Sequence, residues 1–154
     1  MHELTQEEII TKLEKRDFKC QQCSRCCRKE PGIVMLTEED FENARRNLEM
    51  TAKDFLSQCC REVYRDSETL VGLIEKKNYD CIFWSDGCII YEDRPLQCRT
   101  FPFWPYLVED DDAWFYEKNR CPGLNKPGTF TTEQKLDFYN KENDAVYKKW
   151  PAKN

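Results

Sequence analysis

Four cysteines near the amino terminus are the residues whose type and spacing point most directly to chemistry. They are Cys20, Cys23, Cys26 and Cys27, with two residues between the first three and none between the last two. A spacing of two residues lets a tight turn direct two thiolates at one metal ion, which lies about 2.3 Å from each sulfur when the metal is zinc. The cluster therefore predicts coordination of a metal by cysteine thiolates.

Cys26 and Cys27 are adjacent in this cluster, and adjacent side chains point in different directions. They lie on opposite sides of an extended chain and about 100° apart on a helix. We therefore expect the two residues to have different tasks. One would complete a site with Cys20 and Cys23, and the other would reach a second metal, bridge two metals or pack.

Four later cysteines stand beside turn-forming residues, where ligands from distant parts of a chain can converge. They are Cys81, Cys88, Cys98 and Cys121. With the first cluster they supply eight sulfurs, enough for two four-sulfur sites or one binuclear arrangement. Cys59 and Cys60 instead fall on the apolar stripe of a predicted helix, so we interpret them first as packing residues.

The identity of the metal is open between zinc and an iron-sulfur cluster, because soft thiolates suit both. Cys20, Cys23 and Cys26 repeat the first three ligands of the bacterial ferredoxin run, and Cys121-Pro122 has the cysteine-proline pair of its last ligand. Cys121 lies far from the triplet, however. Two-residue spacings are equally common in structural zinc sites.

The composition limits the class of protein. The chain has 154 residues, ten of them cysteine, a formal net charge of -5 and a mean hydropathy of -0.84. Basic and acidic residues are intermixed, so no basic stripe predicts nucleic-acid binding. The polar amino terminus predicts neither a secretory signal nor a membrane span, and we expect a cytoplasmic protein. Since the cytoplasm is reducing, metal ligation or redox chemistry is favoured over a disulfide scaffold.

The elements that must position the cysteines are predicted from apolar periodicity and capping residues. Four helices should begin after the N-cap residues Thr5, Thr37, Thr51 and Thr131. The first covers residues 6–16, the third carries residues 59–63 on its apolar stripe, and the last continues to Trp150.

Short strands are predicted at residues 69–75, 81–84 and 88–91, the last two joined by a hairpin turn at Ser85-Asp86-Gly87. Two prolines exclude a regular helix or central strand over residues 99–105, which we expect to be an aromatic-packed connection. The predicted hydrophobic layer around the metal site consists of Tyr91, Phe101, Phe103, Trp104 and Tyr106.

These elements predict an α+β fold: a small, mostly helical single domain with a short antiparallel sheet, organised around a cysteine-ligated metal centre. Its expected parts are an N-terminal helix in residues 1–19 and a cysteine-cluster metal-binding domain in residues 20–123. A C-terminal helix in residues 124–154 is expected to pack on the same domain.

Two segments make the chain similar to a known family. They are the Cys20–Cys27 cluster and the stretch Tyr91-Glu92-Asp93-Arg94-Pro95-Leu96-Gln97-Cys98-Arg99. Together with Cys121-Pro122-Gly123 they resemble the YkgJ-type cysteine-cluster family, whose signature is CxxCxxCC, over about Cys20 to Gly123. The resemblance implies chelation of zinc or iron. It matches eight residues to the recurrent cysteines of the family, namely Cys20, Cys23, Cys26, Cys27, Cys81, Cys88, Cys98 and Cys121, and leaves Cys59 and Cys60 as additions.

Two arginines flank one of these cysteines. Arg94 and Arg99 could donate hydrogen bonds that hold the Cys98 loop. They could also form an arginine-acid pair, for which Glu92 and Asp93 are the nearest acids in the sequence.

Two functional classes fit these residues. The first is a metal-binding module in which thiolate ligation stabilises the fold and leaves no open coordination position. The second is an iron-sulfur redox or protein-modification enzyme or accessory, since a similar cysteine motif occurs in the larger flagellin lysine methylases. The sequence contains no GxSxG, GxxxxGK or GxGxxG motif, so no catalytic residue is assigned. Metal storage by surplus thiols is a third hypothesis, and a protein partner is compatible with each.

Overall fold

The structure, a computed structural model, describes residues 3–21, 32–85, 87–128 and 130–151. The α-helices in these ranges are α1 (Gln6–Glu14), α2 (Glu38–Asn47), α3 (Ala52–Cys59), α4 (Leu96–Thr100), α5 (Pro105–Glu109), α6 (Asp111–Arg120) and α7 (Thr132–Asn143). A 3-10 helix covers Tyr91–Asp93, and the strands are β1 (Cys60–Arg65) and β2 (Glu68–Leu73). The predicted α+β class is confirmed.

All four predicted N-caps are confirmed. The hydroxyls of Thr5, Thr37 and Thr131 each accept a hydrogen bond from the backbone N–H three residues later, and the side chain there bonds back to the cap. Thr51 accepts a hydrogen bond from the N–H of Asp54. Such a cap typically contributes about 1 kcal/mol. These caps therefore fix where α1, α2, α3 and α7 begin.

The third helix is shorter than predicted. It ends at Cys59, and Cys60 begins β1 with φ -117° and ψ 155°. The predicted helical position of residues 60–63 is therefore wrong. β1 instead pairs antiparallel with β2 in a register that sets Cys60 opposite Leu73 and Val63 opposite Leu70. The ladder bonds and the burial of Val63 outweigh the helical spacing of the local sequence.

The last helix is also shorter than predicted, because it ends at Asn143 and not near Trp150. Residues 148–150 run along the outer edge of β2. The N–H of Val71 donates to the carbonyl of Lys148 at 2.9 Å, and the N–H of Trp150 donates to the carbonyl of Thr69 at 2.8 Å. Pairing these backbone groups at the strand edge satisfies donors and acceptors that a longer helix would leave open.

The chain divides into two compact units. Unit 1 takes its described residues from Met1–Arg25 and Thr100–Asp144, and unit 2 takes them from Cys26–Arg99 and Ala145–Asn154. The core of unit 1 consists of Leu13, Phe103, Leu107, Val108, Trp114, Leu124 and Tyr139. The main core of unit 2 consists of Leu36, Phe41, Ala44, Phe55, Cys59, Cys60, Val71, Leu73, Phe83 and Ile90.

The expected partition into residues 1–19, 20–123 and 124–154 stays a prediction. In the described ranges, none of the helices combines the length and the apolar character needed to cross a membrane.

Candidate metal centre

A short antiparallel pairing in unit 1 joins the segments that carry Cys20 and Cys121. Phe18 pairs with Leu124, and two backbone bonds flank that pair. The N–H of Lys19 donates to the carbonyl of Gly123 at 3.1 Å, and the N–H of Asn125 donates to the carbonyl of Asp17 at 2.7 Å. Cys20 directly follows Lys19, and Cys121 precedes Gly123 by two residues. The two cysteines therefore lie just beyond the same end of this pairing, although most of the chain separates them in sequence.

Two glycines allow the paired segments to approach so closely. A Cβ atom at Gly123 would lie 2.4 Å from the carbonyl oxygen of Lys19. A Cβ atom at Gly128 would lie 2.2 Å from the carbonyl oxygen of Phe18. Both distances are far below a van der Waals contact, and both neighbours are backbone atoms that cannot rotate away. Only glycine fits at positions 123 and 128 without moving the chain that leads into Cys20.

Two buried cations hold the end of α1, just before this pairing. The guanidinium of Arg16 donates to the carbonyl of Val108 at 3.0 Å and lies 5.2 Å from the centre of the Trp114 ring. The ammonium of Lys135 donates to the carbonyl of Leu13 at 3.2 Å and pairs with Asp17 at 3.0 Å. Positive charge at a helix C-terminus is favourable, and these bonds fix the direction in which the chain leaves α1.

The same arginine also affects an acid on α6. Arg16 and Lys12 both hydrogen-bond to the carboxylate of Asp111. These bonds, first that of Arg16 and then that of Lys12, lower the pKa of Asp111 from its usual 3.8. These contacts within unit 1 partly neutralise the run of four acidic residues at positions 109–112.

The predicted aromatic layer is found in part. Phe101 meets Phe18 edge to face with ring centres 5.9 Å apart, and it meets Trp104 at 5.1 Å. Phe18 lies two residues before Cys20, so this packing supports the segment that carries a predicted ligand. Phe103 is completely buried, and Tyr106 lies 6.1 Å from the Trp104 ring although about 60% of its side chain is exposed. Tyr91 is equally exposed and lies against the guanidinium of Arg94.

Three of the predicted ligands share one local structure. Cys81, Cys88 and Cys121 each open a four-residue turn, in which the cysteine carbonyl accepts a hydrogen bond from the N–H three residues later. The three bonds measure 2.9, 3.2 and 3.3 Å, respectively. Each of these cysteines is partly buried. Cys81 and Cys88 pack against the core of unit 2, and Cys121 packs against the core of unit 1.

These turns replace two predicted strands. Residues 81–84 and 88–91 were expected to form a hairpin, and that prediction is wrong in detail. Trp84 and Cys88 form an isolated bridge, so the chain does reverse between them, but each run bends into its own turn. The reason is burial. Each of these runs places only one side chain, Phe83 or Ile90, fully inside the core of unit 2. A turn is enough to bury a single side chain, so neither run needs to form a strand.

Cys98 lies in α4, and helix α2 anchors that short helix. Both carboxylate oxygens of the buried Asp40 accept the N–H of Leu96 at 3.1 Å. The guanidinium of Arg99 lies 3.8 Å from the same carboxylate, and its Nε donates to the carbonyl of Arg94 at 2.9 Å. The acid that pairs with an arginine here is therefore Asp40, which also serves the capping box of α2. The partner is thus not Glu92 or Asp93, the acids expected from the neighbouring sequence, but an acid of a distant helix.

Arg94 has a different role from Arg99. Its guanidinium lies 4.1 Å from the centre of the Tyr91 ring, and its Nε donates to the carbonyl of Tyr91 at 3.2 Å. The two arginines thus bind backbone carbonyls on the N-terminal side of Cys98, those of Tyr91 and Arg94. Hydrogen bonds of this kind fix the orientation of a ligand loop.

Cys59 and Cys60 are core residues, as predicted, although the second is in a strand. Their exposed fractions are 8% and 5%, and both carry free thiols. Burial raises the pKa of Cys59. Burial, and next the neighbouring Cys59, raise the pKa of Cys60 to about 12. Because a metal binds the thiolate, these buried thiols are poor ligands compared with the partly exposed cysteines.

Three predicted ligands, Cys23, Cys26 and Cys27, lie outside the described residues. Within the described ranges, no three side chains of the histidine, cysteine, aspartate and glutamate types come together as a metal site. The described candidates are Cys20, Cys81, Cys88, Cys98 and Cys121, all of them exposed or partly exposed thiols. In donor type and accessibility this set fits zinc or an iron-sulfur cluster.

The class of protein follows from comparison with known families. Residues 19–122 match the CxxCxxCC family, whose description reads "Putative zinc- or iron-chelating domain". The match covers more than half of the chain, and the protein belongs to this family. No solved structure matches the chain.

Proposed function

We propose that the protein binds zinc or an iron-sulfur cluster through cysteine thiolates. The proposed ligands are Cys20, Cys23, Cys26, Cys27, Cys81, Cys88, Cys98 and Cys121. The observation that carries the proposal is the short antiparallel pairing in unit 1, which requires glycine at positions 123 and 128. This pairing brings the segments that carry Cys20 and Cys121 to the same end. We further propose that these two cysteines ligate the same metal centre.

The residues around this pair suit thiolate ligation. Lys19 is exposed beside Cys20, where its positive charge would offset part of the negative charge of several thiolates on one metal. Phe18 packs on Phe101, which excludes water from one side of the segment. Bound zinc would cross-link these segments as a structural centre, and a bound iron-sulfur cluster would supply a one-electron redox centre.

The support for this proposal also includes a contrast among the cysteines. Three proposed ligands open turns, whereas Cys59 and Cys60 lie in the core with raised pKa values. The proposed location is the cytoplasm, where thiols stay reduced. The proposed partner is the metal ion, and neither nucleic acid nor a membrane is part of the proposal.

The experiment is a cobalt(II) titration of the metal-free protein, followed by the thiolate-to-cobalt charge-transfer band. It compares the wild type, Cys20→Ser, Cys121→Ser and the double variant, with Cys59→Ser as the control. Ligands of one centre should be coupled, so the double variant should lose little more affinity than either single variant. Additive losses would contradict a shared centre. Absence of the band in the wild type would contradict thiolate metal binding.

A further inference from the structure

The segment that leads out of the first cysteine cluster is paired with β2 along one edge. The N–H of Leu36 donates to the carbonyl of Val71 at 3.0 Å, and the N–H of Leu73 donates to the carbonyl of Val34 at 2.9 Å. Backbone groups of successive residues in an extended strand point to alternate sides. The groups of Ile33 and Met35 therefore face away from β2 and need partners on the other edge.

The side chain of Gln97 supplies those partners. The N–H of Met35 donates to its Oε1 at 2.6 Å, and its Nε2 donates to the carbonyl of Ile33 at 3.3 Å. The amide thus offers one acceptor and one donor to alternate residues of the same strand, as the peptide group of a neighbouring strand would. Gln97 is only 8% exposed, so water cannot replace these bonds easily.

Because Cys98 is the next residue along the chain, this contact also affects the position of Cys98. α4 has five residues, and a helix this short has little stability of its own. Its position depends on side-chain contacts, of which the Asp40 carboxylate holds the start and the Gln97 amide holds the body. The position of Cys98 is therefore tied to the strand that follows Cys27.

We propose that Gln97 is a positioning residue for the metal centre. Its side-chain amide bonds the segment after the first cysteine cluster as a neighbouring strand would, and so fixes the position of Cys98 relative to that segment. The proposal rests on the proposed function, because it assumes that Cys98 is a ligand. Gln97 itself does not bind the metal. Its contribution is to hold one thiolate where the coordination geometry requires it, since metal-sulfur distances tolerate only about 0.2 Å of error.

The test replaces Gln97 by methionine, which keeps the length of the side chain and removes both hydrogen bonds. Gln58→Met, at an exposed position of α3, is the matched control. We expect Gln97→Met to weaken cobalt(II) binding about 10- to 100-fold and to reduce the charge-transfer band, while Gln58→Met leaves both unchanged. A residue with a merely structural role would lower the urea midpoint of the metal-free protein but leave the cobalt affinity and spectrum as in the wild type. That result would overturn the proposal.

A second measurement, the rate of cysteine alkylation, tests the proposal without any metal. Alkylation of Cys98 and Cys121 by iodoacetamide is followed by mass spectrometry in the folded metal-free protein. In Gln97→Met, Cys98 should react several-fold faster relative to Cys121, because α4 has lost its tie to the strand. An unchanged ratio would contradict the positioning role. If the wild type bound no cobalt, the proposed function would fail, and this ratio would still report whether Gln97 holds Cys98.

Discussion

Replacement of Gly123 by alanine perturbs the pairing that brings Cys20 and Cys121 together. The added Cβ would lie 2.4 Å from the Lys19 carbonyl oxygen, 3.0 Å from the Phe18 ring and 3.2 Å from the Lys19 carbonyl carbon. To restore even a 3.0 Å contact, the Lys19 carbonyl must move by at least about 0.6 Å. That movement is about three times the tolerance of a metal-sulfur distance, which is about 0.2 Å. The residue that moves is the immediate neighbour of Cys20.

We therefore expect two effects of Gly123→Ala. Overpacking of this kind typically lowers the free energy of unfolding by about 1–3 kcal/mol. Displacement of Cys20 relative to Cys121 should in addition weaken metal binding by about 10- to 100-fold. The assays are urea unfolding of the metal-free protein and cobalt(II) titration, both at a temperature where every variant is folded.

The chain offers two glycine controls. Among the described residues, a Cβ at Gly32 would meet only the Glu75 carboxylate, at 4.0 Å, so Gly32→Ala should change neither stability nor affinity. A Cβ at Gly72 would lie 2.6 Å from the Val63 side chain and 3.3 Å from the Val34 carbonyl oxygen, so Gly72→Ala is a control for overpacking in the urea experiment and should lower stability in unit 2. If Gly123→Ala lost stability but kept the cobalt affinity of the wild type, the pairing would not position the ligands.

The remaining predictions concern the two buried cysteines. Cys59→Ser should lower the free energy of unfolding by about 1–3 kcal/mol, because it buries a hydroxyl among apolar side chains, and it should leave the metal content unchanged by elemental analysis. Equal loss of metal from Cys59→Ser and Cys121→Ser would refute the division between core and ligand cysteines. Because burial raises the pKa of Cys60 from 9.0 to about 12, the folded state holds this proton more tightly than the unfolded state. The stability from the neutral thiol is complete below pH 9.0 and is lost as the pH rises towards about 12, so Cys60→Ala should show a smaller fall of Tm than the wild type across this window.

The helix starts could be predicted from the sequence because their determinants are local. Thr37 and Asp40 are three residues apart and cap α2 without help from the rest of the chain. The same kind of signal exists for two helices for which no prediction was made. Pro105 stands at the first position of α5, and the Asp110 carboxylate accepts the N–H groups of Asp112 and Ala113 at the start of α6.

The helix ends were harder to predict because distant segments determine them. The apolar spacing of Phe55, Cys59 and Val63 fits a helix, but β2 pairs with this stretch from Cys60 onwards. Likewise, the carbonyl of Lys148 is bonded to Val71 of β2, which draws the end of the chain into the sheet. Neither contact leaves a trace in the local pattern of residues.

The candidate site likewise combines features that neighbouring residues determine with features that distant contacts determine. The turn at Cys121 could be anticipated from the Pro122-Gly123 that follows it, whereas the turns at Cys81 and Cys88 occupy residues that were predicted as strands. The roles of Gly123, Gly128, Asp40 and Gln97 could not be anticipated, since each depends on a chain segment far away in sequence. The sequence indicates which thiols are available, and the tertiary contacts decide how they are held.

The most direct test of the account is the metal and acid-labile sulfide content of the protein, purified without oxygen, together with its visible absorption spectrum. We expect a stoichiometric amount of zinc without colour, or iron with matching sulfide and a broad visible band. Either result would support thiolate metal binding and would identify the metal. Protein that carries neither zinc nor iron, and that takes up neither when its reduced metal-free form is reconstituted, would contradict the central claim.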